Sequence, residues 1–487
     1  MAIVGAGLGG LSAACHLAGR DHEVVVLEQQ ERPGGRAGVI EEAGFRIDTG
    51  PSVLTMPGLL RDVFAAAGAD MDDHIRLRPV DPMYRACFPD GSELRLRHGR
   101  EAMEDEIRTV CGPAEAEAFV RFCAWLEQLY EVELRGFIDR NYDSALDLAR
   151  DPGSMWKLVR LGALRRLAPT VASYFQDPRL QQVFSFQSLY AGLSPFEALA
   201  VYCVITYMDT VEGVYFPDGG IHAIAEGLAH AAAKAGAAFA FSTTVERILR
   251  HPDGCVAGVR TTSGEHVDAE AVVCNTDPAF AYRHLLGLAP PRPVARGRYS
   301  PSCIVWVAGV RGKVPDSAGH HNIHFGDDWR GSFDALLRDG VRMPDPSILV
   351  SSPTVSDKRL APEGGLVLYA LEPVPNLDGR IDWGAQGSRP RDELVARLGS
   401  LGYPVDDVVV DRFTDPVGWA SLGYERGTPF SLAHRFFQSG PFRTANVDAR
   451  VPGLVLAGMG TVPGVGIPMV LISGGLAAAR VDAYARP

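Results

Sequence analysis

Residues 2–4 form a short apolar run, and Gly5-Ala6-Gly7-Leu8-Gly9-Gly10 follows at once. Leu11, Ala14 and Leu17 then carry helical spacing. Gly5, Gly7 and Gly10 fit G-x-G-x-x-G, a pattern that dictates strand, tight turn and helix. The first glycine permits the turn, the second lets backbone approach a pyrophosphate, and the third lets helix and strand pack closely. Unpaired N–H groups at the helix start then face the anion. Residues 24–27, Val-Val-Val-Leu, read as the neighbouring parallel strand, with Glu28 at its end. A carboxylate there accepts hydrogen bonds from both ribose hydroxyls and repels a 2′-phosphate, which argues against NADP. The bland alternative is a glycine-rich turn without a ligand.

The fingerprint alone does not separate NAD from FAD. Glu31-Arg32-Pro33-Gly34-Gly35-Arg36 places two glycines and two arginines just past the ribose-binding strand. Arg36 is placed to reach the pyrophosphate, with Gly34 and Gly35 allowing close backbone approach. Gly44-Phe45-Arg46-Ile47-Asp48-Thr49-Gly50-Pro51 then reads as a strand ending in a tight loop. Much later, residues 454–457 read as a buried strand, followed by an uncharged glycine-rich loop. From Val470 to Tyr484 the spacing is helical, with Gly474, Gly475, Ala477 and Ala478 as small residues. Residues 244–248, 256–261 and 266–274 read as three strands of a meander, separated by the glycine turns Asp253-Gly254 and Ser263-Gly264.

The run from Gly5 through Glu28, Arg32-Pro33-Gly34-Gly35-Arg36 and Asp48-Thr49-Gly50-Pro51 resembles the flavoprotein superfamily of amine oxidases, carotenoid desaturases and Rab GDP-dissociation inhibitors. Two further segments narrow the likeness: residues 184–196 with 213–220, and Leu456-Ala457-Gly458-Met459-Gly460-Thr461-Val462-Pro463-Gly464-Val465-Gly466-Ile467-Pro468-Met469. Both resemble the bacterial-type phytoene desaturases, close to the lycopene-forming members. The resemblance covers essentially the whole chain and implies FAD as cofactor. It implies an α/β fold: a discontinuous Rossmann-type FAD-binding domain, a mixed α+β substrate domain and a helical membrane-facing segment. Residues 1–80, 215–288 and 446–487 fall to the FAD domain, 81–150 and 289–445 to the substrate domain, and 151–214 to the helical segment. Gly5, Gly7, Gly10, Glu28, Arg32, Gly35, Arg36, Val245, Gly458, Gly466, Ile467 and Met469 are the cofactor-binding candidates. Val245 is assigned to the adenine by resemblance. The helix after Gly466 is expected to aim its N-terminus at the flavin and to stabilise negative charge there.

The 487 residues suffice for two or three domains, each with its own core. A net charge of −12 argues against a nucleic-acid partner, which needs clustered positive charge. The eight cysteines are scattered and no two are spaced as C-x-x-C, which suits a reducing cytosol. His320, His321 and His324 cluster locally, but no neighbouring carboxylate or cysteine completes a metal site, and a solvated loop is expected there. Neither a G-x-S-x-G elbow nor a P-loop is present. The first nineteen residues lack the basic start of a signal peptide. No clean apolar run of membrane-spanning length is found. Residues 156–174 read as an ordinary solvated helix, since their charges do not segregate onto one face.

The scarcity of catalytic groups suits a reaction in which flavin carries the hard step and the protein positions the substrate. Asp209, Glu212 and Arg165 are the catalytic candidates. The first two are candidate proton acceptors whose default reading is that of surface carboxylates, and Arg165 is suggested by resemblance alone. The expectation is an FAD-dependent desaturase acting on a hydrophobic C40 carotenoid, taking 15-cis-phytoene stepwise to lycopene. The alternatives are a neurosporene-, diapophytoene- or aromatic-type dehydrogenase, a carotenoid isomerase, an amine oxidase, or a non-catalytic prenyl-protein chaperone. The substrate's solubility in lipid adds cytoplasmic, monotopic attachment to a membrane surface, through an apolar patch within residues 150–210.

Overall fold

The computed structural model describes residues 1–485. Its organising element is a five-stranded parallel sheet assembled from distant pieces of chain. The order across it is Leu454–Leu456, Val272–Cys274, Ala2–Val4, Val25–Leu27 and Ala238–Ala240. Each strand has three residues. All five are apolar and four of them are buried throughout or nearly so, as expected of a parallel sheet covered on both faces. The Leu8–Ala18 helix leaves the central strand directly and is almost wholly buried.

The C-terminal helix, Ile467–Ala485, lies against this first helix. A Cβ on Gly474 would come within 2.5 Å of Gly9 O and of Ser12 Cβ, and Ser12 Oγ donates to Leu471 O at 2.7 Å. The small residues of the last helix therefore serve helix–helix contact. This is also the one helix, among the described residues, long and apolar enough to cross a membrane, with a mean hydropathy of 1.2 over Ile467–Tyr484. It is mostly buried within the protein.

Only part of the expected meander forms. Val245–Arg250, Val256–Thr261 and His266–Asp268 make a three-stranded antiparallel sheet. Val272–Cys274, read as part of the third strand, crosses instead into the parallel sheet, where its three consecutive buried side chains are covered on both sides.

A second, seven-stranded sheet forms the other half of the molecule. Its order is Val408–Thr414, Ser302–Arg311, Gly365–Val374, Ile348–Ser351, His321–His324, Tyr84–Cys87 and Glu93–Leu96. All pairings are antiparallel except the one between His321–His324 and Tyr84–Cys87. One of its two longest strands, Ser302–Arg311, alternates strictly. Ile304, Trp306, Ala308 and Val310 enter a closed core with Leu368, Ala370, Leu394 and Leu398, while Cys303, Val305 and Val307 face a cavity. The histidine cluster is not a solvated loop: His320, His321 and His324 are all buried, two of them within a strand. Burial pushes His321 down to about 3, so it is neutral at physiological pH.

Residues 156–174 do not make one helix. Pro152–Arg160 and Leu167–Ala172 are separate helices, broken where Gly162 adopts φ +73°. The apolar run at 199–205 is not surface either. Ala200, Cys203 and Val204 are buried, and Val201, Tyr202, Val204 and Ile205 line the same cavity as the sheet.

Candidate functional site

One cavity of about 1890 Å³ runs from the carboxyl end of the parallel sheet to the face of the seven-stranded sheet. A single small-molecule site usually has roughly 300–1,000 Å³, so this volume accommodates two ligands end to end.

The parallel-sheet end is a cradle of backbone. Gly5 takes φ +96° at the turn, and a Cβ on Gly10 would overlap the carbonyl oxygen of Gly5. The two glycines thus serve turn and helix–strand contact. Gly7 precedes the first helical residue and lines the cavity with Leu8 and Gly9. The second glycine pair is stacked on this loop: Gly34 N donates to Ala6 O at 2.8 Å, and a Cβ on Gly35 would sit 3.2 Å from Gly7 Cα. Glu28 is buried at the mouth, accepting from Ala6 N at 2.7 Å and from Gln30 N at 2.9 Å. Two backbone donors leave its oxygens with further acceptor capacity. Val245 begins the antiparallel sheet beside it and also lines the cavity.

Arg36 and Arg32 part company. The Arg36 guanidinium stacks on Tyr424 with 4.0 Å from Cζ to the ring centroid, and its buried Nε has no partner. A half-buried cation with a donor to spare, on the wall of a glycine cradle, suits a pyrophosphate. Arg32 is exposed and its guanidinium is tied to Glu41 at 2.6 Å.

The 458–466 loop closes the cradle. Gly458 N donates to Ser473 Oγ at 3.0 Å, and Gly458, Gly466, Ile467 and Met469 all line the cavity. The nineteen-residue C-terminal helix therefore presents its positive end to the cavity.

Two site residues escaped the sequence reading. Asn275, directly after Val272–Cys274, is wedged among Gly7, Gly9, Gly10 and Gly458. With its amide oriented to satisfy both ends, it accepts from Gly10 N at 3.1 Å and Gly7 N at 3.3 Å and donates to Ala457 O at 3.3 Å. It joins the first glycine loop to the last. Its place at the carboxyl end of a parallel strand is the signal that could have marked it. Glu133 is the other. It is buried at the end of the Pro113–Glu133 helix, lines the cavity, and leaves one oxygen without a partner. Burial alone pushes it well above the usual carboxylate range. Nothing in its sequence neighbourhood separates it from the exposed Glu131.

Of the three catalytic candidates, the structure brings only Asp209 to the cavity. Asp209 is buried rather than a surface group, on a π-helical turn at Tyr207–Val211 that packs on the Pro113–Glu133 helix. A second π-helical turn, Leu134–Ile138, follows Glu133. Such turns recur at functional sites because they re-aim side chains. Burial lifts Asp209 to about 7, while Gln187 and Tyr84 hydrogen-bond to it and hold it partly down. Glu212 lies off the cavity wall, half-buried beside Tyr130. Arg165 is exposed and packs beside Gly162.

Much of the remaining lining is apolar, including Val305, Val307, Leu349 and Leu371 from the sheet and Val204, Ile205 and Met208 opposite. Among the described residues no group of three or more metal-ligating side chains converges.

The model of the flavin containing amine oxidoreductases matches residues 8–482. The chain belongs to that family. It is 46% identical to a phytoene dehydrogenase of Streptomyces griseus, over 98% of this chain and 94% of the relative. It is 37% identical to a zeta-carotene-forming phytoene desaturase of Myxococcus xanthus, covering 99% and 94%. It is 33% identical to a lycopene-forming phytoene desaturase of Pseudescherichia vulneris, covering 97% and 96%. Among solved structures, an oxidoreductase from Methanosarcina mazei shares the fold, with a TM-score of 0.63, 17% identity and 98% of both chains covered. This flavoenzyme of the phytoene desaturase type thus uses FAD. The chemistry of the cradle is compatible with it: the backbone donors and Arg36 would suit a pyrophosphate, Glu28 a ribose, and the 458–469 segment an isoalloxazine ring.

Proposed function

We propose that this carotenoid desaturase takes 15-cis-phytoene stepwise to lycopene. The observation that carries the reading is continuity: the dinucleotide cradle opens, without a wall between, into an apolar space whose buried polar side chains are few. A C40 hydrocarbon offers no polar handle, so shape must orient it. Apolar pockets discriminate single methylenes by only about 1–3 kcal/mol, and length of tunnel becomes the main selector. FAD, when bound, accepts hydride from an allylic carbon. The chain's own part is to hold the polyene against that ring, exclude water and take up the proton lost from the adjacent carbon. Asp209 is suited to the last role, because a carboxyl near 7 is ionised in a useful fraction at neutral pH and can hand the proton on. Incubation with phytoene-containing liposomes and FAD, followed by pigment chromatography, tests the reading. Accumulation of lycopene supports it, and a product stopping at zeta-carotene or neurosporene replaces it.

Attachment to a membrane surface belongs to the same proposal. Leu146, Trp156, Val159 and Leu164 are exposed on one side, with Phe436 and Phe437 on the other. The two stretches meet, since the Ala145–Arg150 turn packs on both the Pro152–Arg160 helix and the Gly440–Phe442 turn. Met155, Leu158, Leu164, Phe436 and Phe442 line the cavity as well, which puts its apolar mouth within this patch. Lys157, Arg160, Arg166 and Arg435 are exposed nearby and offset the overall acidity locally. Liposome flotation of wild type against a Trp156→Ser, Phe437→Ser double variant tests it. Equal flotation of the two places attachment elsewhere, and no flotation of wild type removes it.

A further inference from the structure

Arg443 is the single buried arginine or lysine among the described residues. Its guanidinium donates to Met459 O at 2.6 Å and Thr461 O at 2.8 Å, and to Leu432 O and Gln438 O at 3.3 Å. Every one of these acceptors is a neutral backbone carbonyl. The ionisable groups facing it are the phenols of Tyr202 and Tyr299 and the imidazole of His434, which burial keeps neutral. Burial pulls Arg443 itself down to about 10, still far enough above neutrality for it to remain a cation. A buried charge normally has an opposite charge beside it. Among the described residues Arg443 has none.

The position of the cation supplies the reason. Two of its acceptors belong to the 458–466 loop, and Met459, Gly460 and Val462 of that loop line the cavity. One layer of backbone separates the guanidinium from the cavity wall. Further along the loop, His434, which itself reaches the cavity wall, packs against Gly464 and accepts from Val465 N at 3.3 Å, so the loop is held at a second point. Each carbonyl that accepts from Arg443 is polarised, and its peptide unit carries that polarisation to the cavity side. Hydride uptake leaves a flavin one unit more negative unless a proton follows. We propose that Arg443 is the fixed counter-charge for the reduced flavin, holding the 458–466 loop in place and raising the reduction potential of the bound cofactor. It is a positioning residue, acting through the loop rather than touching the ring. The inference rests on FAD binding in the cradle and adds the electrostatic element that the helix N-terminus supplies only in part.

The experiment uses FAD-loaded wild type, Arg443→Gln and Arg443→Lys. The readouts are the flavin reduction potential by dye equilibration and the affinity of the oxidised flavin for sulfite. Sulfite adds at the ring and leaves it negatively charged, so its affinity reports the same field. The glutamine variant keeps a donor for the loop but removes the charge. It is expected to lower the potential and to weaken sulfite binding about tenfold or more, with lysine restoring both near pH 7. Wild-type potential and sulfite affinity in flavin-loaded Arg443→Gln overturn the proposal. Should that variant fail to retain FAD, Arg443→Lys carries the test. Its potential is expected to fall below wild type as pH rises from about 6 to about 10, where a buried ammonium loses its proton. Parallel curves over that range overturn it.

Discussion

The two ends of the cavity solve opposite problems. The cradle must hold a charged, polar cofactor in one pose, and what it offers for this is backbone: N–H groups at a helix start, glycines where side chains would intrude, one carboxylate and one stacked arginine. The tunnel must accept an apolar chain, and it is lined with the alternate residues of one sheet face. Changes in the cradle should therefore act on occupancy, sharply and at single positions. Changes in the tunnel should act on rate and product and be spread over many positions.

The largest effect is expected from Gly7→Val. A Cβ at Gly7 would already stand 2.7 Å from the side-chain amide of Asn275, and a branched side chain would also fill the approach expected for the pyrophosphate. Purified variant protein should carry no flavin. Full occupancy would move the pyrophosphate elsewhere.

Next comes Asp209→Asn, which should leave flavin content intact and reduce turnover by about 10²–10⁴-fold, the usual worth of a positioned acid–base group. Wild-type turnover should rise with pH through about 7, and the asparagine variant should lose that dependence. The apo protein gives an independent reading. A carboxyl whose folded value is raised to about 7 contributes stability that is present at acid pH and lost as pH climbs towards that value. Asp209→Asn should therefore raise the melting temperature at pH 8 and hardly change it at pH 4. An unchanged melting temperature at both would mean that Asp209 is better solvated than its burial indicates.

Glu28→Ala should weaken FAD binding by about 1.5–3 kcal/mol for each charge-assisted bond lost. Asp218→Ala, which removes a surface partner of Arg78 and Arg359, should be close to neutral for FAD. Titration calorimetry of the apo proteins separates the two, and equal affinities would put the ribose elsewhere. The smallest effect is expected from Arg32→Ala. Its pair with Glu41 is exposed, and such pairs are worth about 0–1 kcal/mol. A large loss of flavin in that variant would mean that Arg32 leaves Glu41 for the cofactor.

The same contrast explains what could be read from the sequence. Gly5, Gly7, Gly10, Glu28, Gly34 and Gly35 are legible because dinucleotide chemistry needs those residue types at those spacings within one βαβ unit. The strands at 2–4 and 25–27 follow from apolar runs with turns at their ends, whereas the apolar run at 272–274 did not show that it leaves the meander for the parallel sheet. Asn275 was not legible, since its partners Gly7 and Gly458 are brought to it only by the completed sheet. Asp209 and Glu133 look like surface carboxylates in the chain, and only tertiary packing buries them. The histidines at 320–324 mislead for the same reason: polar composition suggests a loop, yet neighbouring strands pair with them on both sides. The apolar run at 199–205 shows hydrophobicity without direction, and packing turns it inward to the cavity.

The parallel sheet has a consequence for how the chain is made. Its central strand, Ala2–Val4, is the first of the five to leave the ribosome, but its neighbour Val272–Cys274 lies far downstream and the edge strand Leu454–Leu456 further still. At about 5–20 residues per second, the first strand waits tens of seconds for its second neighbour and longer for the helix that packs on Ser12. Nascent chains therefore expose apolar strand edges until these segments are made, and a complete cradle waits for the last of them. Expression yield should depend on chaperone supply and on free FAD. A chain cut before residue 454 should lack the flavin entirely while retaining every residue of the N-terminal fingerprint.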